Sequence, residues 1–89
     1  MATIDIILTV TDQSGHLRGT LDSLGAQTMR GWRLLAVYHG GLEGVRAELE
    51  SGDDRIIPIE LSADAGGVAA MRNVALRRVE SEMVCFLDC

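Results

Sequence analysis

Ile4-Asp5-Ile6-Ile7-Leu8-Thr9-Val10 is the stretch that decides the fold class. It has the length of a strand, is rich in β-branched residues and is nearly apolar on both faces. A central strand of a parallel sheet, covered on either side, requires that pattern. A polar turn from Thr11 to Gly15 follows, with Asp12 and Ser14 as possible helix N-caps. Leu17, Leu21 and Leu24 then recur at i, i+4 and i+7, which marks a helix laying one stripe on the sheet.

The unit repeats. Trp32 to Tyr38 reads as a second buried strand, ended by the His39-Gly40-Gly41 turn. Leu42 to Glu50, with Val45 and Leu49 four apart, is a short helix. Arg55 to Leu61 is a third strand carrying Pro58, whose ring nitrogen cannot donate to a ladder, so it belongs at a sheet edge. Val68 to Val79 is a third helix with Val68, Ala75, Leu76 and Val79 as its apolar positions, and Glu82 to Leu87 a fourth strand. The order βαβαβαβ, with short right-handed crossovers, gives an α/β, three-layer Rossmann-like fold. Pro58 at an edge selects a four-stranded parallel sheet in the order 3-2-1-4, in one domain over residues 1–89. In that order strands 1 and 4 diverge, and ligands bind outside the carboxyl ends of the strands beside that point.

Composition narrows the function. Hydrophobic residues make up 47% of the chain, which argues against disorder. A net charge of −5 argues against nucleic acid and anionic membranes as partners. All eight basic residues are Arg, so a P-loop lysine and a Schiff-base lysine are both excluded. No stretch reaches the roughly 20 apolar residues of a transmembrane helix. Met1 to Thr3 leads directly into the first strand without the apolar core of a signal peptide, so a cytoplasmic location is expected. Cys85, inside an apolar run, reads as a small core residue. The first strand-to-helix turn lacks G-x-G-x-x-G, and neither His16 nor His39 has a triad partner nearby in sequence.

Chemistry concentrates in Asp64-Ala65-Gly66-Gly67-Val68-Ala69-Ala70-Met71-Arg72-Asn73 and in the strand Cys85-Phe86-Leu87-Asp88. Two glycines open the helix, and Arg72 falls between Val68 and Leu76, placing a guanidinium in the buried stripe where it needs a partner. His39 ends the second strand, where a ligand is expected, and Asp88 does so for the fourth.

These segments resemble the N-x-G-x-x-x-A-R-N-x-G … F-L-D-x-D signature of family 2 glycosyltransferases with the GT-A fold, broken off at the D-x-D. Ile6 to Asp12 resembles that family's opening strand, Leu21 to Thr28 its L-x-S-L-x-x-Q-T segment, and Trp32 to Val37 the strand before its D-D-G-S. The resemblance implies the donor-binding part of an enzyme that moves sugar from a nucleotide-diphosphate-sugar to an acceptor. It implies a nucleotide-sugar site drawn from Thr9, Thr11, Asp12, Tyr38, His39, Gly67, Arg72 and Asp88, with Asp88 beside Mn²⁺ or Mg²⁺. The departures are as definite. Thr9 and Thr11 replace the proline and tyrosine of the opening motif, Tyr38-His39-Gly40-Gly41 replaces D-D-G-S, and Ala65 and Ala75 replace the Asn and the later Gly. Tyr38 is the candidate for base stacking in place of Thr11. A second reading keeps the fold without the chemistry: a degenerate glycosyltransferase-like scaffold or assembly module. In either reading Met83 to Leu87 is an exposed apolar edge, from which a homo-oligomer joined through the fourth strand is expected.

Overall fold

The computed structural model describes residues 4–11, 16–26, 31–50, 53–62, 64 and 66–88. The elements run β1 (Ile4–Val10), α1 (His16–Gly25), β2 (Trp32–His39), α2 (Glu43–Leu49), β3 (Ile56–Leu61), α3 (Val68–Leu76) and β4 (Met83–Asp88). All strand pairs are parallel, in the order β3-β2-β1-β4, so the expected topology is the observed one and Pro58 stands on an edge strand. No helix among the described residues is long and apolar enough to cross a membrane.

Alternation along the strands sorts side chains onto two faces. Ile6, Leu8 and Val10 of β1 join Leu34, Ala36 and Tyr38 of β2 beneath Leu17, Leu21 and Leu24 of α1 and Val45 and Leu49 of α2. Ile7, Leu35, Val37 and Ile59 form the opposite face beneath Met71 and Ala75 of α3. The two successive crossovers from β1 to β3 travel in one direction and lay their helices on one side. The return from β3 to β4 reverses direction, so α3 lies on the other side, as right-handed crossovers require.

Three expectations are corrected. The buried stripe of α3 is Met71 and Ala75, while Val68 and Leu76 are 36% and 44% exposed; α3 sits over β1 and β2, which turns the Val68–Leu76 row outward. Cys85 is exposed, because its strand is the sheet edge with β1 as its one neighbour. Strands β1 and β4 do not splay apart: they pair side by side from Ile4↔Met83 to Thr9↔Asp88. What differs is the helix joined to each: α1 follows β1 on one face, and α3 precedes β4 on the other.

Candidate functional site

The carboxyl ends of the strands on the α3 side carry the residues best placed to meet a ligand. Thr9 follows Ile7 on that face and is buried, next to last in β1. His39 follows Val37 on the same face of β2 and is part-buried, with its Nε2 enclosed and making no hydrogen bond among the described residues. The turn after it is tightly held: the Gly40 N–H donates to the Leu61 carbonyl at 2.6 Å, and a Cβ on Gly40 would lie 3.3 Å from that carbonyl and from Glu60 Oε2. Gly41 has φ +98°, open to glycine at little steric cost.

Helix α3 begins at this same end, because β3 delivers the chain there. Gly67 is its N-cap and supplies no side-chain cap, and the first turn holds no acid. Neither the N-cap residue nor an acid in the first turn satisfies the leading N–H groups of the helix or offsets the positive end of its dipole. A Cβ at Gly67 would touch nothing within 4 Å; the position that requires glycine is Gly66, at φ +110° with Ala70 Cβ at 3.1 Å. One turn on, the Arg72 guanidinium lies over the Phe86 ring of β4, Cζ 5.5 Å from its centroid. Asp88 is two residues beyond Phe86 in the same strand, with Thr9 as its register partner. The Asp88 side chain and the whole of Asp12 lie outside the described residues. Thr11 is exposed just past the end of β1.

Tyr38 is elsewhere. It faces α1 and α2, is 2% exposed and donates its hydroxyl to Glu60 Oε1 at 3.1 Å. Burial, and then the Glu60 carboxylate, push the phenol above its ordinary pKa, so it stays protonated and a donor. Glu60 also accepts Arg46 Nη1 at 3.2 Å, and Arg46 Nε reaches Glu50 at 2.7 Å, closing a chain of charges over a cleft of about 230 Å³. Tyr38 and His39 thus serve opposite faces of the sheet, and an enclosed Tyr38 ring offers no stacking surface. Glu60, which ends β3 beside this turn, was not singled out by the sequence; a lone acid at the end of an edge strand carries no signal of its partners.

Among the described residues no three His, Cys, Asp or Glu side chains come together as a metal centre. A divalent ion here needs ligands beyond them. The chain matches no protein-family model and no curated protein.

Proposed function

We propose that this chain is the donor-binding part of a glycosyltransferase acting on a nucleotide-diphosphate-sugar in the cytoplasm. The observation that carries the reading is the α3 amino end, with no acid in its first turn, opening beside Thr9 and His39 with Arg72 one turn further on. Uncapped N–H groups and a guanidinium make a natural seat for a diphosphate. In the transfer, the bond between the anomeric carbon and the β-phosphate oxygen breaks, its electron pair leaves with the diphosphate, and the acceptor hydroxyl oxygen bonds to the anomeric carbon while its proton passes to a base or to solvent. Helix α3 and Arg72 hold the charge that departs. Mn²⁺ or Mg²⁺ at Asp88, when bound, would add neutralisation of that charge.

Titration with UDP, GDP and dTDP in the presence of Mn²⁺, followed by amide shifts, tests the proposal. Shifts at Gly67, Arg72 and His39 are expected with one of the three. No shift at any of these positions with all three overturns it. The second reading, a non-catalytic assembly module, is favoured by one observation: β4 is an exposed apolar edge, with Met83 61% and Phe86 46% exposed. It predicts self-association through β4 together with silence in the nucleotide titrations.

A further inference from the structure

At the opposite end of the sheet, under the carboxyl end of α3, lies a groove of about 240 Å³. Its floor is apolar: Leu35 and Ile57 are register partners on β2 and β3, and Val79 packs beside them. Its rim is cationic. Arg33 is held rigid by the buried Asp5 carboxylate, while its Nη1 pairs with Glu80 at 3.4 Å and its Nη2 donates to the Arg78 carbonyl at 2.9 Å. Arg77 and Arg78 complete the rim, both exposed and, among the described residues, neither in an ion pair; Glu80, which also lines the groove, is engaged by Arg33.

That last feature stands out in a chain of net charge −5. Among the described residues, Arg18, Arg33, Arg46 and Arg55 each engage an acid, and Arg72 lies over a ring. Among the described residues, Arg77 and Arg78 are the two guanidiniums with neither an ion pair nor a ring contact, available to complement something outside the chain. We propose that this groove binds a small organic phosphate, its dianion between Arg77 and Arg78 and a short apolar body on Leu35, Ile57 and Val79. Two uncompensated cations match a dianion better than a monocarboxylate, and guanidinium forks suit phosphate oxygens. At about 240 Å³ the groove is smaller than the roughly 300–1,000 Å³ of pockets that hold drug-sized ligands, which favours a small phosphate over a nucleotide. The site is independent of the donor-binding reading and lies at the other end of the strands. Complementing the negative end of the α3 dipole is the simpler role of these arginines, and it predicts a loss of stability on their removal with no ligand at all.

Butyl phosphate and inorganic phosphate, titrated separately, decide between these. Butyl phosphate is expected to shift the Leu35, Ile57 and Val79 methyl resonances and the Arg78 amide, leaving Gly67 and His39 unmoved. Inorganic phosphate is expected to bind the same rim more weakly. Arg77→Gln with Arg78→Gln is expected to weaken butyl phosphate binding about tenfold or more, as loss of charge-assisted bonds does. The Arg78 carbonyl contact to Arg33 survives in that variant, and Arg77→Gln alone, which removes no bond seen in the structure, is the safeguard against misfolding. No methyl shift at millimolar butyl phosphate, equal binding by the variants, or equal affinity for the two phosphates overturns the proposal.

Discussion

Asp5 and Arg33 meet as two forks across β1 and β2: Nε lies 3.0 Å from Oδ1 and Nη2 2.9 Å from Oδ2. Asp5 is fully buried and also accepts the Glu80 N–H at 2.7 Å, the Ser81 N–H at 3.2 Å and the Ser81 hydroxyl at 2.9 Å. One carboxylate in the middle of an apolar strand thus fastens the α3–β4 connection to the sheet. The two partners are not equivalent. Asp5→Ala removes the acceptor shared by two backbone N–H groups, the Ser81 hydroxyl and the Arg33 fork, although Arg33 keeps Glu80 and the Arg78 carbonyl, whereas Arg33→Met leaves the carboxylate with three donors. Asp5→Ala is expected to cost about 3–5 kcal/mol, the range for breaking a buried pair, and Arg33→Met less. Denaturant titration measures both; equal losses would show that the backbone bonds contribute little.

The same carboxylate sets the acid limit of the fold. Burial alone would raise its pKa, but the Arg33 guanidinium, the Glu80 and Ser81 N–H groups and the Ser81 hydroxyl together hold it well below the usual carboxylate range. Asp53 is lowered in the same direction by the Arg55 side chain and N–H. Groups depressed in the folded state contribute stability that is present above the unfolded pKa, about 3.9, and lost as pH falls toward the folded value. Thermal midpoints are therefore expected to hold steady from neutral pH to about 5 and to drop below about 4. Asp5→Asn should flatten that fall, and an unchanged acid slope in the variant would place the titrating groups elsewhere.

Much of this was legible in the sequence because burial on both faces leaves a plain signature. Ile4–Val10 and Trp32–His39 are continuous apolar runs, and Pro58 alone sufficed to place β3 at an edge. The Asp5–Arg33 pair was within reach as well, since each is the one charge in its strand and each sits one residue after the register start Ile4↔Trp32. The sequence misled in α3, where four apolar positions compete for a face and only packing over β1 and β2 selects Met71 and Ala75. It misled at Tyr38 and His39 for a simpler reason: neighbours in a strand point to opposite faces, so adjacency there could not make a single site.

Tyr38 gives a direct measure of that separation. Tyr38→Phe removes the hydroxyl donated to Glu60 and keeps the ring in the α1–α2 core. It is expected to cost about 1 kcal/mol in stability, the net worth of an ordinary hydrogen bond, and to leave nucleotide titrations unchanged. Weakened nucleotide binding in Tyr38→Phe would place its hydroxyl in the donor site.

Arg72 should behave in the opposite way. Its contact with the half-exposed Phe86 ring contributes about 0.5–1 kcal/mol, and the denaturant midpoint of Arg72→Ala measures the whole of what the side chain adds to the fold. If α3 seats a diphosphate, the same variant binds nucleotide about tenfold more weakly, through loss of a charge-assisted bond. Arg72→Lys should recover part of that affinity, keeping the charge without the fork. Full affinity in Arg72→Ala would remove the guanidinium from the site.

The two edges of the sheet are guarded unequally. On β3, Pro58 withholds a donor and Glu60 stands exposed, both of which discourage a further strand. On β4, Met83, Val84, Cys85 and Phe86 are all exposed and none is charged. Two copies related by a two-fold axis would pair β4 against β4 in antiparallel fashion, extending the sheet and covering these residues. Such pairing brings Glu82 of one copy toward Asp88 of the other, at both ends of the seam, so association should strengthen as salt rises and screens them. Sedimentation is expected to show a concentration-dependent dimer that Met83→Lys with Val84→Lys converts to monomer. A dimer that persists in that variant, or weakens with added salt, would locate the contact on another surface.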